Sequence, residues 1–307
     1  MEEQIWVEKY RPQTLDDLMV DDNTRKIIQN FGKKIPHLLL TGKPGVGKTT
    51  LAKIIAKDIL NCDFLYINAS DENGIDTIRE KVIGFAQTRS FDGGLKIIIL
   101  DECDGQSKNA QNALRNVMES YASTTRFILT GNNKYKIEPA LQSRCQSLTL
   151  HTSLKDVTRR CLEILKKENV EIPDNQKKPL VALIKSHYPD IRKCINELEK
   201  YSKSGILSIE TKKDTNQVMD LIYTNLQSGD TLKTRKFLIE NEELFDSDHE
   251  SLLKDLLNYF YDLSMDDTTK KQAILIIAES LFKMMSVTDR EICAIACLLQ
   301  LEELFPE

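Results

Sequence analysis

Short, nearly continuous apolar runs punctuate the first half of the chain at Leu38–Thr41, Phe64–Asn68, Lys96–Asp101, Arg126–Gly131 and Ser147–Leu150. Runs of this length without polar alternation predict strands buried on both faces, the pattern of a parallel sheet. Between them the apolar spacing turns helical. Leu51, Ile54, Ile55 and Ile59 predict a helix over Leu51–Ile59. Strands alternating with helices over residues 1–150 predict an α/β domain, a parallel sheet flanked by helices.

From residue 151 the strand pattern stops. Ser153 with Asp156 three residues later has the spacing of a helix start, and a helix is expected to run to about Asn169. Further helices are predicted near Asp174–Ser186 and Pro189–Ser202, with Gly205 as a stop signal. Residues 151–207 therefore read as a small helical domain. After the polar stretch Ile209–Thr215 the remainder, residues 208–307, reads as helices alone. Val218, Leu221, Ile222 and Leu226 form one apolar stripe; Leu252, Leu253, Leu256, Leu257 and Phe260 form another. Ala273–Leu281 is apolar on most faces, which predicts either a deep core or a partner subunit around it.

Composition narrows the classes. A length of 307 residues suits two domains or three small ones. A net charge of −5 means that the chain as a whole is no polyanion binder, so nucleic-acid contact would need a local basic patch. The apolar runs are too short to span a membrane and the N-terminus is acidic and polar, so an intracellular protein with no membrane partner is expected. The seven cysteines show no paired spacing, as in a reducing compartment. Cys293 and Cys297 lie one helical turn apart, but no second ligand pair follows them, so a core face is expected there rather than zinc.

The chemistry is concentrated in two places. Gly42-Lys43-Pro44-Gly45-Val46-Gly47-Lys48-Thr49 has the form G-x-x-x-x-G-K-[ST], between a predicted strand and a predicted helix. Glycines there let several amide N–H groups converge on one anion, and the helix that follows adds its positive end. Lys48 supplies a mobile charge for the outer phosphates, and the Thr49 hydroxyl is placed to ligate magnesium. Some sixty residues later the run Lys96–Leu100 ends in Asp101-Glu102, at the strand end where ligands gather in open α/β sheets. Asp101 is expected to hold Mg2+, largely through water, and Glu102 to polarise the attacking water. Together the two motifs predict binding of a nucleoside triphosphate, ATP, with a divalent metal, and its hydrolysis.

An α/β nucleotide domain followed by a helical lid is similar to the AAA+ plan. Trp6-Val7-Glu8-Lys9-Tyr10-Arg11-Pro12, Asn68-Ala69-Ser70-Asp71-Glu72-Asn73-Gly74-Ile75, Ala110-Gln111-Asn112-Ala113-Leu114-Arg115 and Gln142-Ser143-Arg144-Cys145 go further. They closely resemble the small subunits of sliding-clamp loaders, the replication factor C family and the clamp-loader ATPase of T-even phages. The resemblance spans roughly the first 205 residues in order. The C-terminal third is similar to the family's oligomerisation collar in length and helicity alone.

The resemblance implies an ATPase subunit of a clamp loader. Such a subunit works in a five-subunit ring with other loader subunits, a sliding clamp and primer–template DNA. ATP binding would open the clamp, and DNA-triggered hydrolysis would release it. The resemblance also implies roles for single residues. Val7 and Arg11 would flank the adenine and phosphates, with Thr50 beside Thr49 in the nucleotide site. Asn132 would be the sensor of the water or γ-phosphate. Arg144 would be an arginine finger for a neighbouring subunit, and Arg192 a lid arginine reading the γ-phosphate. Arg79, Lys81 and Lys108 would be phosphate contacts to DNA, which position a duplex without reading its sequence. Two departures stand out. Cys103 occupies a position where many relatives have alanine, and it is small enough to be tolerated. Pro189 stands where the family often has glycine; proline suits a first helical turn, so Arg192 is expected in place. A non-hydrolysing scaffold subunit of the same ring and another AAA+ remodeller or helicase loader are the alternatives. The first is disfavoured by Lys48, Thr49, Glu102 and Arg144, the second by the Val7–Pro12 and Gln142–Cys145 motifs.

Overall fold

The computed structural model describes residues 4–31, 35–72, 74, 76, 78–88, 90, 94–209, 215–240 and 248–305. By Cα proximity the chain forms two compact units, Met1–Ile209 and Glu210–Glu307.

The first unit holds a five-stranded sheet: β1 (Leu38–Thr41), β2 (Phe64–Asn68), β3 (Lys96–Asp101), β4 (Thr125–Gly131) and β5 (Gln146–Thr149), in the order β2-β3-β4-β1-β5. Every pairing is parallel. β1 and β3 are buried at every position, which is why their sequences read as unbroken apolar runs. Successive residues serve opposite faces. Leu38, Leu40, Ile97, Ile99 and Ile128 pack one layer, with Leu51, Ile54, Ile55 and Ile28. Leu39, Ile98, Leu100, Phe127 and Leu129 pack the other, with Ala110, Leu114 and Met118.

The chain opens with a single turn, α1 (Trp6–Lys9), followed by α2 (Asp22–Gln29). The helix after the glycine loop starts earlier than the apolar spacing predicts. It is α3 (Lys48–Ile54), which widens into a π-helical turn over Ile55–Ile59. α4 (Ile83–Gln87) precedes β3, α5 (Lys108–Ser120) connects β3 to β4, and the short α6 (Pro139–Gln142) precedes β5. The Ser107 hydroxyl caps α5 by accepting from Ala110 N at 3.3 Å.

Three further helices complete the unit: α7 (Leu154–Lys167), capped by Ser153, α8 (Lys177–His187) and α9 (Ile191–Lys200). They share a core of Val157, Cys161, Leu165, Leu180, Ile184, Cys194 and Leu198, against which Trp6 packs. Gly205 adopts φ +78°, as expected of a helix stop. Pro189 departs from expectation. The cap of α9 is Asp190, whose carboxylate accepts from Lys193 N at 3.0 Å, so Pro189 lies before the cap rather than in the first turn. The Tyr188–Pro189 peptide is cis.

The second unit contains α10 (Thr215–Gln227), α11 (Thr231–Glu240), α12 (His249–Asp262), α13 (Asp267–Met284) and α14 (Arg290–Glu302). Its core gathers Val218, Ile222, Leu226, Leu252, Leu253, Leu256, Phe260, Ile277, Cys297 and Leu298. Leu221 differs from the expected stripe: it is partly exposed. Cys293 and Cys297 are core residues, and no cluster of three metal-ligating side chains occurs among the described residues. On α13 the apolar residues divide. Ala273, Ile277 and Met284 face the core, whereas Leu275 and Phe282 are 63% and 75% exposed.

Candidate nucleotide-hydrolysis site

The site is built at the C-terminal ends of β1, β3 and β4. After β1 the chain turns through Gly42, Gly45 and Gly47, at φ +146°, +73° and +93°. These angles are closed to most side chains, and they deliver the loop directly into α3. A Cβ on Gly45 would lie 1.9 Å from Asp190 Oδ1, so this loop and the start of α9 are in close contact.

Lys48 is 8% exposed. Its ammonium donates to Asn132 Oδ1 at 2.7 Å, to Lys43 O at 2.8 Å and to Gly42 O at 3.0 Å. Burial pushes its pKa below the usual lysine range. Asp101, Asp104 and Glu102 oppose that shift, and Arg192 adds to it.

The Thr49 hydroxyl lies 2.8 Å from each oxygen of Asp101. Thr130 Oγ1 also donates to Asp101 Oδ1, and it accepts from the Glu102 amide at 3.0 Å. One buried threonine on β4 thus fixes both carboxylate residues at the end of β3. Tyr66, on β2, donates its hydroxyl to Asp101 Oδ2 at 2.8 Å, and burial with the nearby Asp101 carboxylate pushes the phenol well above its usual range. Glu102 is a non-glycine residue at φ +56°. That left-handed backbone costs about 1–2 kcal/mol and persists because its amide is pinned. Its carboxylate accepts from Ser70 Oγ at 2.8 Å. Asp104 accepts from the amides of Asn132 and Asn133 at 3.2 and 3.0 Å, fixing the loop after β4.

One cleft is lined by Pro44, Gly45, Gly47, Lys48, Thr49, Thr50, Asp101, Glu102, Asn132 and Arg192. An adjoining, more apolar cleft is lined by Val7, Tyr10, Arg11, Pro12, Val46, Thr50, Arg160, Ile191 and Arg192, among others. The opening segment is held over it by α7 and α9. Tyr10 OH donates to Glu168 Oε1 at 2.5 Å, Lys9 pairs with the same oxygen at 2.6 Å, and Arg160 donates to Tyr10 O at 3.1 Å. Trp6 N donates to Glu199 at 3.1 Å. Arg11 pairs with Glu8 at 2.6 Å.

The remaining expected residues lie elsewhere. Arg144 is not among the residues lining either cleft; it bonds Glu119 and the Ala140 carbonyl. Lys81 pairs with Glu72 at 2.6 Å, and Lys108 is exposed in the first turn of α5. The Arg79 side chain, and Asn73 and Ile75 of the Asn68–Ile75 motif, fall outside the described residues. Tyr66, Ser70, Asp104, Thr130 and Glu168 are functional neighbours that motif reading missed. Tyr66 and Thr130 reach Asp101 only through the order of the strands, so no signal in the local sequence pointed to them.

A glycine-rich loop entering a helix from β1, an inner strand, a carboxylate pair on the next strand but one and a helical lid that carries an arginine to the loop define a AAA-type ATPase. In agreement, residues 38–152 match the model of the ATPase family associated with various cellular activities, and residues 151–209 match that of the sliding-clamp-loader large subunit, AAA+ ATPase lid domain. The chain belongs to the replication factor C small-subunit family, the ATPase subunits of sliding-clamp loaders that work in multi-subunit complexes. It is 35% identical over 296 residues to the replication factor C small subunit of Archaeoglobus fulgidus, covering 92% of each chain. It is equally similar, 35%, to that of Sulfolobus acidocaldarius, covering 95% of this chain and 94% of the relative. Mouse replication factor C subunit 5 is 42% identical over 203 residues, covering 63% and 59%. The lid model's description names a large subunit, but the relatives that match across nearly the whole chain are small subunits. A single-residue variant of Thermotoga maritima RuvB shares the fold with a TM-score of 0.55 at 19% identity, covering 90% of this chain and 88% of that one.

Proposed function

We propose that this subunit binds ATP with Mg2+ and hydrolyses it once a neighbouring subunit and primer–template DNA are in place, and that it thereby drives loading of a sliding clamp. Residues 1–150 serve as the nucleotide domain, 151–207 as the lid and 208–307 as an oligomerisation collar. The exposed Leu275 and Phe282 of α13 suit a collar that meets other subunits.

The adenine lies by Val7 and Arg11, and the loop Gly42–Thr50 wraps the phosphates through its amides. Thr49 and Asp101 offer hard oxygen donors close together, a set that fits Mg2+. When bound, the ion neutralises charge on the phosphate oxygens. Lys48 turns from its own loop carbonyls to the outer phosphates. Glu102, held by Ser70 and by its pinned amide, orients the attacking water and accepts its proton. Asn132 and Arg192 contact the γ-phosphate. Arg144 serves the nucleotide of the next subunit. An arginine supplied in trans is worth about 10³–10⁵ in rate in well-studied GTPases, so hydrolysis depends on assembly. Lys108 is the better placed of the DNA candidates, since Lys81 is engaged by Glu72.

The observation that carries this reading is that Lys48, Thr49, Asp101, Glu102, Asn132 and Arg192 line one cleft while Arg144 does not. ATP turnover of the ring assembled with its partner subunits tests it, with and without primed DNA and clamp. Arg144→Ala should leave nucleotide affinity of the isolated chain intact and abolish turnover at the adjoining site. Equal turnover by isolated single chains would refute it.

A further inference from the structure

Arg144 is held before any neighbour arrives. Its Nε donates to Glu119 Oε1 at 2.8 Å, its Nη2 donates to the same oxygen, and its Nη1 donates to Ala140 O at 2.6 Å. A guanidinium has five N–H donors. Three are engaged here, which leaves one on each terminal nitrogen. Two terminal N–H groups are the fork that meets phosphate oxygens.

The holding residues come from two places. Glu119 sits in the last turn of α5, and Ala140 in α6. The hydrogen bonds from Arg144, and then its charge, keep the Glu119 carboxyl below the usual carboxylate range. The arginine thus favours the charged form of the Glu119 carboxylate that grips it. The pair is also open to an incoming group: the Arg144 side chain is 32% exposed and that of Glu119 55%. Neither side chain is sealed off by the rest of the chain.

We propose that Glu119 is a positioning residue for hydrolysis in the adjoining subunit. It grips the side edge of the Arg144 guanidinium and presents the two remaining terminal N–H groups to the neighbour's γ-phosphate. This rests on the reading of Arg144 as an arginine acting in trans. An unheld arginine is a long side chain with many rotamers, and fixing it only in the transition state raises the barrier. A pre-set guanidinium avoids that loss.

The test uses the assembled ring with primed DNA and clamp, carrying Glu119→Ala, Glu119→Gln, Arg144→Ala or the E119A/R144A pair. Steady-state kcat and KM for ATP are measured for each. E119A should lower kcat about tenfold with KM changed less than about twofold. E119Q keeps an oxygen that can accept from the guanidinium, and it should recover at least about half of the wild-type kcat. R144A should lose about 10³ or more, and adding E119A to it should cost nothing further, since the two residues act as one unit. Where E119A impairs assembly, Glu119→Met has similar length without the acceptor and takes its place. Wild-type or raised kcat in E119A, with R144A inactive, overturns the role of Glu119 alone. A further loss in the double variant does the same, because it marks a structural role independent of the arginine. Undiminished turnover in R144A overturns the trans-arginine reading and Glu119 with it.

Discussion

Glu168→Ala separates the opening segment from the lid and so tests whether that segment is part of the nucleotide pocket. Glu168 Oε1 accepts from Tyr10 OH at 2.5 Å and pairs with Lys9 at 2.6 Å, and the Glu168 side chain is 17% exposed. A hydrogen bond to a charged group is worth about 1.5–3 kcal/mol; the low end applies at a half-open site. The Lys9 pair, with lysine 48% exposed, adds about 0.5 kcal/mol after solvent screening. The loss is therefore about 2 kcal/mol, or about thirtyfold in the equilibrium that keeps the segment docked. Trp6 N on Glu199 and Arg160 on Tyr10 O remain, so docking weakens without being abolished. Apparent affinity falls with the fraction of competent molecules. Titrating the isolated chain with a fluorescent ATP analogue should show affinity weakened between about threefold and thirtyfold.

The pH dependence adds a second readout. Burial works against the Glu168 charge, but hydrogen bonds from Lys9 and Tyr10 outweigh it and hold the carboxyl below its usual 4.5. Its folded value being depressed, the stabilisation is fully present above 4.5 and is lost as pH falls through the folded value. The difference between wild type and variant should close in that acid range. Affinity unchanged within about twofold, in a variant whose melting temperature has dropped, would refute the idea that Val7, Tyr10 and Arg11 contribute to binding.

Gly45→Ala should weaken ATP binding by more than about tenfold and lower the melting temperature, because left-handed backbone is strained for alanine. The new Cβ would also lie 3.0 Å from Asp190 Cα, a contact that side-chain rotation cannot relieve. Thr130→Val keeps the shape but removes the hydroxyl shared by Asp101 and the Glu102 amide. Leaving such groups unpaired costs about 1–3 kcal/mol, so kcat of the ring should drop roughly tenfold to a hundredfold, read by single-turnover kinetics. His37 accepts from Phe127 N at 3.1 Å, and burial, with Arg126 nearby, depresses it from 6.5 to about 4. Its contribution is thus present above 6.5 and lost as pH falls toward 4. The shift corresponds to at most about 3 kcal/mol, reduced to about 1–2 by solvent access to the ring. Melting curves of His37→Gln should be flatter than wild type between pH 6.5 and 4, with a steeper slope overturning the assignment.

The strands were legible because a central parallel strand is buried on both faces and leaves an unbroken apolar run, as in Lys96–Asp101. The loop Gly42–Thr49 was legible because phosphate binding dictates its residues one by one. The partners of those residues were not. Tyr66 meets Asp101 because β2 pairs beside β3, and Thr130 does so because β4 lies on the other side. Strand order is a property of the whole sheet that no local pattern encodes. Long-range polar pairs such as Tyr10–Glu168 and Arg144–Glu119 are invisible for the same reason: each unites exposed-looking charges or phenols far apart in the chain. Periodicity also could not tell a deep core from a partner-facing surface, so Ala273–Leu281 read as apolar on most faces, whereas Leu275 on that stretch faces solvent within its own unit.

The pieces of the site differ in how firmly they are held, and under the proposed function that difference is what lets ATP act as a switch. Asp101, Glu102 and Asn132 stand at strand ends, fixed by buried hydroxyls and by Asp104. Arg192 and the opening segment are carried by helices, through contacts as local as Asp190 on Gly45 and Glu168 on Tyr10. Such contacts are worth a few kcal/mol at most, the scale on which a bound nucleotide can bias a lid. Arg144 belongs to neither set. If, as proposed, it serves the cleft of a neighbouring subunit, its position there depends on how two chains meet, and hydrolysis then reports on their geometry with a sensitivity that the rigid part of the site could not provide.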